Sequence, residues 1–307
     1  VIALPLNKKY LGTLFIAIAA MLWATDALFR APTVQTIDPV FIVLFEHFVG
    51  VAVLFLWICL RRQVPLLVSG YSVKTWLSLF VIGAGGSAVA TVLFTASFKY
   101  VNPSVSILLQ KLQPLFVVAL AFLFLGERPS KTFWPWALVA LLAALGVSLP
   151  HLHLTGVFDL QSKGVIYALS AAGIWAVSTV AGKSASHSLP PTVLTFWRYT
   201  FGLGALLVLS FLSGSDTTKY VFHPELISGS VLRSLIYIAF IPGIAALVFY
   251  YSGLKRAPAI TATFTELLFP VSAVALNWFF LGADLNPTQL ISGAVLLVAV
   301  SQIAIAL

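Results

Sequence analysis

Cysteine occurs once, at Cys59, so the chain forms no internal disulfide and holds no cysteine-based metal site. Charge is nearly as scarce. Asp, Glu, Lys and Arg make up 8% of the 307 residues, whereas an ordinary soluble domain carries about 25%. There is no basic run longer than two residues, so the net charge of +8 points to membrane orientation rather than to a nucleic-acid partner. No HExxH sequence is present, and His47 is the one histidine deep in an apolar run, which leaves a metal centre or an intramembrane enzyme without its chemistry. The glycine-rich stretch "IGAGGSAVAT" at 82–91 lacks a following Lys-Ser/Thr and lies within an apolar segment. It reads as close helix packing through small residues rather than as a phosphate loop.

What is abundant is apolar surface, at 60% of residues. No aqueous core needs so much, so the solvent is lipid. A helix crosses a bilayer with about 20 apolar residues. Ten such segments are found, at 10–30, 39–60, 74–97, 102–125, 132–150, 164–184, 191–212, 231–253, 259–281 and 287–307. They are too long and too uniform for barrel strands. The first follows Lys8 and Lys9, contains Trp23, Thr25 and Asp26, and lacks a small-residue cleavage site, so it reads as a retained span rather than a signal peptide. Lys8, Lys9, Arg61, Arg62, Lys74, Arg128, Lys131, Lys183, Lys255 and Arg256 then fall on one side, against Arg30, Lys99, Lys163, Lys219 and Arg233 on the other. Ten cations against five place both termini in the cytoplasm.

The halves resemble each other. "LWATDALFR" at 22–30 aligns with "IWAVSTVAG" at 174–182 at an offset of 152, which also brings Pro39 onto Pro191 and Gly50 onto Gly202. An offset of 156 aligns "FTASFKYV" at 94–101 with "YYSGLKRA" at 250–257, Pro114 with Pro270, and "FLG" at 124–126 with "FLG" at 280–282. Five spans per unit make the second copy enter the membrane from the opposite side, a pattern of carriers with a site at the repeat interface. The expected fold is therefore an all-α integral membrane protein with ten transmembrane helices in two inverted five-helix repeats. The first repeat covers 1–150, a connecting loop 151–163, and the second repeat 164–307.

The residues that carry this repeat also carry a family resemblance. The "LW" of the first span, "FKYVNPSVSILLQKLQP" at 98–114, the closing "LGERPS" at 125–130 and the second-half counterpart "GLKRAPAITATFTELLFP" at 253–270 resemble EamA-type members of the drug/metabolite transporter superfamily. The aromatic emphasis is similar to that of the YddG-type amino-acid exporters. The resemblance covers nearly the whole chain and implies a ten-span carrier of amino acids, drugs or other small metabolites. The copies differ in places. Glu127 corresponds to Ala283, and Glu46 to Arg198.

Within the spans, ionisable groups normally face a cavity or a partner. In span four, Gln110 and Gln113 share a helix face with Ser106, Lys111 adds an ammonium, and Pro114 removes a backbone bond one turn back. Span nine offers Thr263, Glu266 and Pro270, with Glu266 in register with Gln110. Span one contributes Trp23, Thr25 and Asp26, and span six Trp175 and Ser178. These groups either line a substrate cavity or bond helix to helix, and the tryptophans are either flat platforms for substrate or anchors in the interfacial belt. His47 either titrates or is a packed histidine. Pro242, beside Gly243, joins Pro114 and Pro270 as an expected helix break or hinge.

Four charges lie inside spans. Matching depths at a rise of about 1.5 Å per residue suggest the pairs Glu46–Lys111 and Arg198–Glu266. A rival pairing joins Lys111 to Glu266. Two buried cations against two buried acids give a net-neutral cavity, which suits a zwitterion better than a nucleotide sugar or phosphate ester, the alternative cargo. The expectation is a non-enzymatic carrier of a bacterial-type inner membrane, an exporter of amino acids or related amphiphilic metabolites. It would work by alternating access, with membrane lipid and a small-molecule substrate as partners. No cofactor, metal or nucleic acid is implied, and monomer and homodimer are both open.

Overall fold

The computed structural model describes residues 8–68, 70–101, 103–148, 163–212, 214–215, 217–281 and 287–306. Most of the expected connecting loop, at 151–162, and Ala283 lie outside the described residues. Those described are helical or in turns, with no strand among them.

The first apolar run folds as α1 (Lys8–Ala24) and α2 (Asp26–Thr33), which together form one span from Tyr10 to Thr33. α3 (Pro39–Leu60) starts where sequence chemistry allows. Asp38 accepts the Val40 N–H at 2.8 Å, and Pro39 stands where a missing N–H is harmless. After the short α4 (Pro65–Val68), α5 (Val73–Phe80) and α6 (Ala90–Ser97) are joined by a π-helical stretch, Val81–Val89, into one continuous crossing. Next come α7 (Pro103–Gln110), α8 (Gln113–Leu125) and α9 (Phe133–Ser148).

The second half repeats the order. α10 (Lys163–Ser186) and α11 (Pro191–Leu212) precede the short α12 (Thr218–Phe222). α13 (Gly229–Ile238) and α14 (Ala246–Leu254) flank a second π-helical stretch, Ala239–Ala245, that contains Pro242. α15 (Ala259–Thr265), α16 (Leu268–Leu281) and α17 (Pro287–Ala306) complete the chain. Six helical runs are long and apolar enough to cross a membrane: Tyr10–Thr33, Pro39–Leu60, Val73–Ser97, Lys163–Ser186, Pro191–Leu212 and Gly229–Leu254. Shorter apolar helices occupy Gln113–Leu125, Phe133–Val147, Ala259–Ala273 and Leu290–Ile305.

The expected fourth and ninth spans are each broken. The turn Lys111–Leu112 separates α7 from α8, and the turn Glu266–Leu267 separates α15 from α16. The cause is the proline one turn on. Pro114 and Pro270 have no N–H to return to the carbonyls of Gln110 and Glu266. At the second break the Glu266 carbonyl takes the Phe269 N–H at 3.0 Å instead, which tightens the turn. A charged residue therefore sits at each break.

Lipid-facing positions are large and apolar, as with Phe124, 70% exposed, and Phe211, 86% exposed. Between helices, where lipid gives no hydrophobic drive for association, small residues permit close approach. α3 and α11 meet in a reciprocal contact. A Cβ on Gly50 would stand 2.6 Å from the Tyr199 ring, and one on Gly202 would stand 2.5 Å from the His47 ring. The two rings lie edge to face at 4.9 Å. At the offset of 152, Gly50 corresponds to Gly202 and His47 to Tyr199, so each glycine admits the other helix's ring.

Candidate functional site

A cavity of about 1070 Å³, its mouth included, opens among these helices. Its walls come from both halves of the chain. The broken helices bring Gln110, Lys111 and Gln113 from one half and Glu266 and Phe269 from the other. A small adjoining recess is shared by Gln110, Gln113, Thr263 and Glu266.

Trp23 and Trp175 both line the cavity rather than the lipid surface. Their indoles are fixed by crossed hydrogen bonds. Trp23 Nε1 donates to the Pro242 carbonyl at 2.9 Å, and Trp175 Nε1 donates to the Gly86 carbonyl at 2.8 Å. Both acceptors belong to π-helical stretches. Asp26 and Ser178 also line the cavity, with the Ser178 hydroxyl buried, unpartnered and close against Gly86. Thr25 is not part of the lining. It stands at the break between α1 and α2, and its hydroxyl donates to the Leu22 carbonyl at 2.7 Å. Thr263 is 1% exposed, with its hydroxyl unpartnered in the recess. Gln113 donates to the Thr179 hydroxyl at 3.4 Å, and the Tyr250 hydroxyl donates to the same oxygen at 3.2 Å. His47 is a packed histidine. Nδ1 lies 2.7 Å from the Val43 carbonyl and Nε2 lies 2.8 Å from the Ser87 hydroxyl.

The charges are not paired as their depths suggested. Glu46 bonds Arg30, whose Nη2 is 2.9 Å from Glu46 Oε2. Arg30 also grips Asp26 through Nε at 2.6 Å and Nη2 at 3.0 Å. This corrects the Glu46–Lys111 pair. The physical reason is that the first span continues as helix to Thr33, past the end of its apolar run. Arg30 is thereby carried into the bundle one turn beyond Asp26 rather than into a loop. Arg198 likewise makes no ion pair with Glu266 among the described residues. Its Nε donates to Ser87 Oγ at 3.1 Å, Nη1 to the Tyr251 hydroxyl at 2.8 Å, and Nη2 approaches the Gly86 carbonyl at 3.5 Å. Lys111 Nζ stands 4.1 Å above the Phe269 ring, a cation–π contact, and Lys111 lines the small recess together with Glu266.

Sequence reasoning missed several members of this wall, among them Arg30, Ser87, Phe94, Tyr250 and Phe269. Arg30 left a signal, the i,i+4 spacing from Asp26. Where α14 turns into α15, the chain is held by side chains from other helices and loops. Glu127 accepts the N–H groups of Ala259 and Ile260 at 2.8 and 3.0 Å, and Lys183 donates to the carbonyls of Leu254 and Ala257, each at 2.8 Å.

The chain matches the model of the EamA-like transporter family twice, over residues 10–149 and 162–305. It is 27% identical over 302 residues to a Fusobacterium nucleatum protein named riboflavin transporter ImpX, covering 95% of this chain and 97% of that one. It is 25% identical to the uncharacterized transporter YwfM of Bacillus subtilis, over 97% of this chain and 95% of the relative. A solved crystal structure shares the fold with a TM-score of 0.73 at 22% identity, over 95% of both chains.

Proposed function

Because the chain belongs to the EamA-like transporter family, and is therefore a multi-pass membrane transporter, we propose that it is an alternating-access carrier of small zwitterionic amphiphiles, amino acids with aromatic side chains foremost. It acts as an exporter in a bacterial-type inner membrane. It crosses ten times, in two inverted five-helix repeats at 1–150 and 164–307, with both termini in the cytoplasm. The repeat reading is supported by the two family matches and by contacts that recur under the sequence offsets, Trp23–Pro242 with Trp175–Gly86 and Gly50–Tyr199 with Gly202–His47. Pro114, Pro242 and Pro270 are the points at which such repeats would flex.

The observation that carries the substrate class is the lining. Three cations and three acids face a cavity walled by Trp23, Trp175, Phe94, Tyr250 and Phe269. Balanced charge suits a zwitterion and aromatic faces suit a planar side chain. Gln110, Lys111, Gln113, Ser178 and Glu266 supply polar contacts within reach of such a solute.

A second reading is a neutral heteroaromatic solute, favoured by the two tryptophans and by the name of the Fusobacterium relative. Reconstitution into liposomes separates the two. The panel is labelled phenylalanine and tryptophan, riboflavin and a nucleotide sugar, each with and without a pH gradient. Uptake of the aromatic amino acids above the others is expected. Preference for riboflavin establishes the second reading, and preference for the nucleotide sugar overturns both.

A further inference from the structure

The six charges of the cavity sum to zero but are unevenly distributed. Arg30 is bound by both Asp26 and Glu46, so that group carries one net negative charge. Glu266 lines the same cavity as Lys111 and Arg198 and forms no ion pair with either among the described residues, so these three carry one net positive charge. The cavity thus has an acidic pole and a basic pole. The exchange of Glu46 for Arg198 at equivalent positions of the two halves gives the poles their opposite signs.

Arg198 differs from the other two cations. Arg30 has two carboxylates, and Lys111 stands 4.1 Å over the Phe269 ring, whereas the Tyr251 ring centroid is 6.0 Å from Arg198 Cζ. Arg198 holds only neutral acceptors, Ser87, Tyr251 and the Gly86 carbonyl, and among the described residues no carboxylate comes within 4.0 Å. Glu46 and Glu266 line the same cavity but are not in contact with Arg198. Neutral acceptors orient a guanidinium without neutralising it, and an unneutralised charge at membrane depth is costly. The group is also held rigidly. Ser87 is itself fixed by His47, and the Tyr251 hydroxyl sits on Nη1. A planar, oriented guanidinium facing a cavity is built for a planar anion.

We infer that Arg198 is the anchor for a carboxylate on the transported solute, and that the solute's cationic end lies toward Asp26 and Glu46. One net positive charge matches one carboxylate. A phosphate ester would bring nearly two negative charges and leave the pole overcharged. The aromatic part of the solute then rests against Trp23 and Trp175, which line the same cavity. This inference rests on the zwitterion reading above, and it adds the residue that selects for the acid.

Calorimetric titration of the purified full chain in detergent tests it with three probes, L-phenylalanine, L-phenylalaninamide and 3-phenylpropanoate. The wild type is expected to bind the two carboxylates, with the amide weaker by roughly thirtyfold or more, the loss typical of one unpaired member of a buried charge pair. Arg198→Gln is expected to lose that same factor for phenylalanine while leaving the amide unchanged, and Arg198→Lys to fall between. The comparison of acid with amide on the wild type needs no variant, so it holds even where Arg198→Gln fails to fold. If the wild type binds the amide as tightly as the acid, or if Arg198→Gln weakens both alike, Arg198 is a structural residue and the inference is wrong while the carrier reading stands. If none of the three binds the wild type, the zwitterion reading falls and takes the inference with it.

Discussion

The indole N–H of Trp23 donates to the carbonyl of Pro242 across 2.9 Å, joining the span Tyr10–Thr33 to the π-helical stretch Ala239–Ala245. Its counterpart at the same offsets joins Trp175 to Gly86 at 2.8 Å. Each half of the chain thus holds the irregular helix of the other by one indole hydrogen bond. Trp→Phe keeps an aromatic ring, smaller than the indole, and removes the donor. Losing such a hydrogen bond costs about 0.5–1.5 kcal/mol net. Gly86 also receives weaker bonds from Arg198 and the Thr91 hydroxyl at 3.5 and 3.4 Å, so the two substitutions are not equal. Thermal unfolding in detergent is expected to show a larger loss for Trp23→Phe than for Trp175→Phe. Liposome assays are expected to show slower turnover for both. Unchanged stability in Trp23→Phe would remove this bond from the account.

Arg30 holds two carboxylates in a site that is 4% exposed. Arg30→Gln strands both. Breaking a buried ion pair from one side costs about 3–5 kcal/mol, enough to lower expression and melting temperature together. Glu46→Gln in the same chain is expected to restore part of the loss, because it removes one of the two stranded charges. The same Glu46→Gln is expected to leave Lys111→Gln unrescued, since those side chains are not partners. Rescue of Lys111→Gln by Glu46→Gln would restore the pairing suggested by depth.

These charges show how far the sequence could be read. Six of the expected spans were legible because crossing a bilayer demands a run of apolar residues that nothing else explains. The breaks near Lys111 and Glu266 were legible because Pro114 and Pro270 lack a donor. Charge pairing was not legible, because depth along a helix says nothing of rotation about its axis, and rotation decides which side chains meet. Arg30 was misplaced because the helix runs past its apolar segment to Thr33. The acceptors of Trp23 and Trp175 were hidden for another reason. A π-helical stretch shifts the rotation of every residue beyond it, and small residues such as "GAGG" permit that shift without announcing it.

Close contact at Gly202 is a sharper test of packing. A methyl group there would stand 2.5 Å from the His47 ring, which is 1% exposed and bonded at both nitrogens. Overpacking of this kind costs about 1–3 kcal/mol. Gly202→Ala is expected to lower the melting temperature in detergent, and His47→Ala to recover part of the loss by opening room for the methyl. Additive losses in the double variant would show that the two positions do not touch in the protein as it exists in the membrane.

The inverted arrangement is tested by which side of the membrane each loop faces. Ser188 and Glu225 are exposed, Ser188 in the turn before the span Pro191–Leu212 and Glu225 in the 3-10 helix Pro224–Leu226 of the segment that follows it. Single cysteines at these positions, in a Cys59→Ala background, give one reactive thiol each. With both termini in the cytoplasm, Glu225→Cys is expected to react with an impermeant maleimide applied to intact cells. Ser188→Cys is expected to react only after the membrane is opened. The first repeat gives its own pair, Gln35→Cys outside and Gln63→Cys inside, with Gln35 and Gln63 in the turns that flank Pro39–Leu60. The span Pro191–Leu212 aligns with Pro39–Leu60 at the offset of 152, so inversion requires the order of accessibility to reverse between the two pairs. The leading turn is accessible in the first repeat and protected in the second. The same order in both repeats would make them parallel and overturn the inverted reading, whatever the solute.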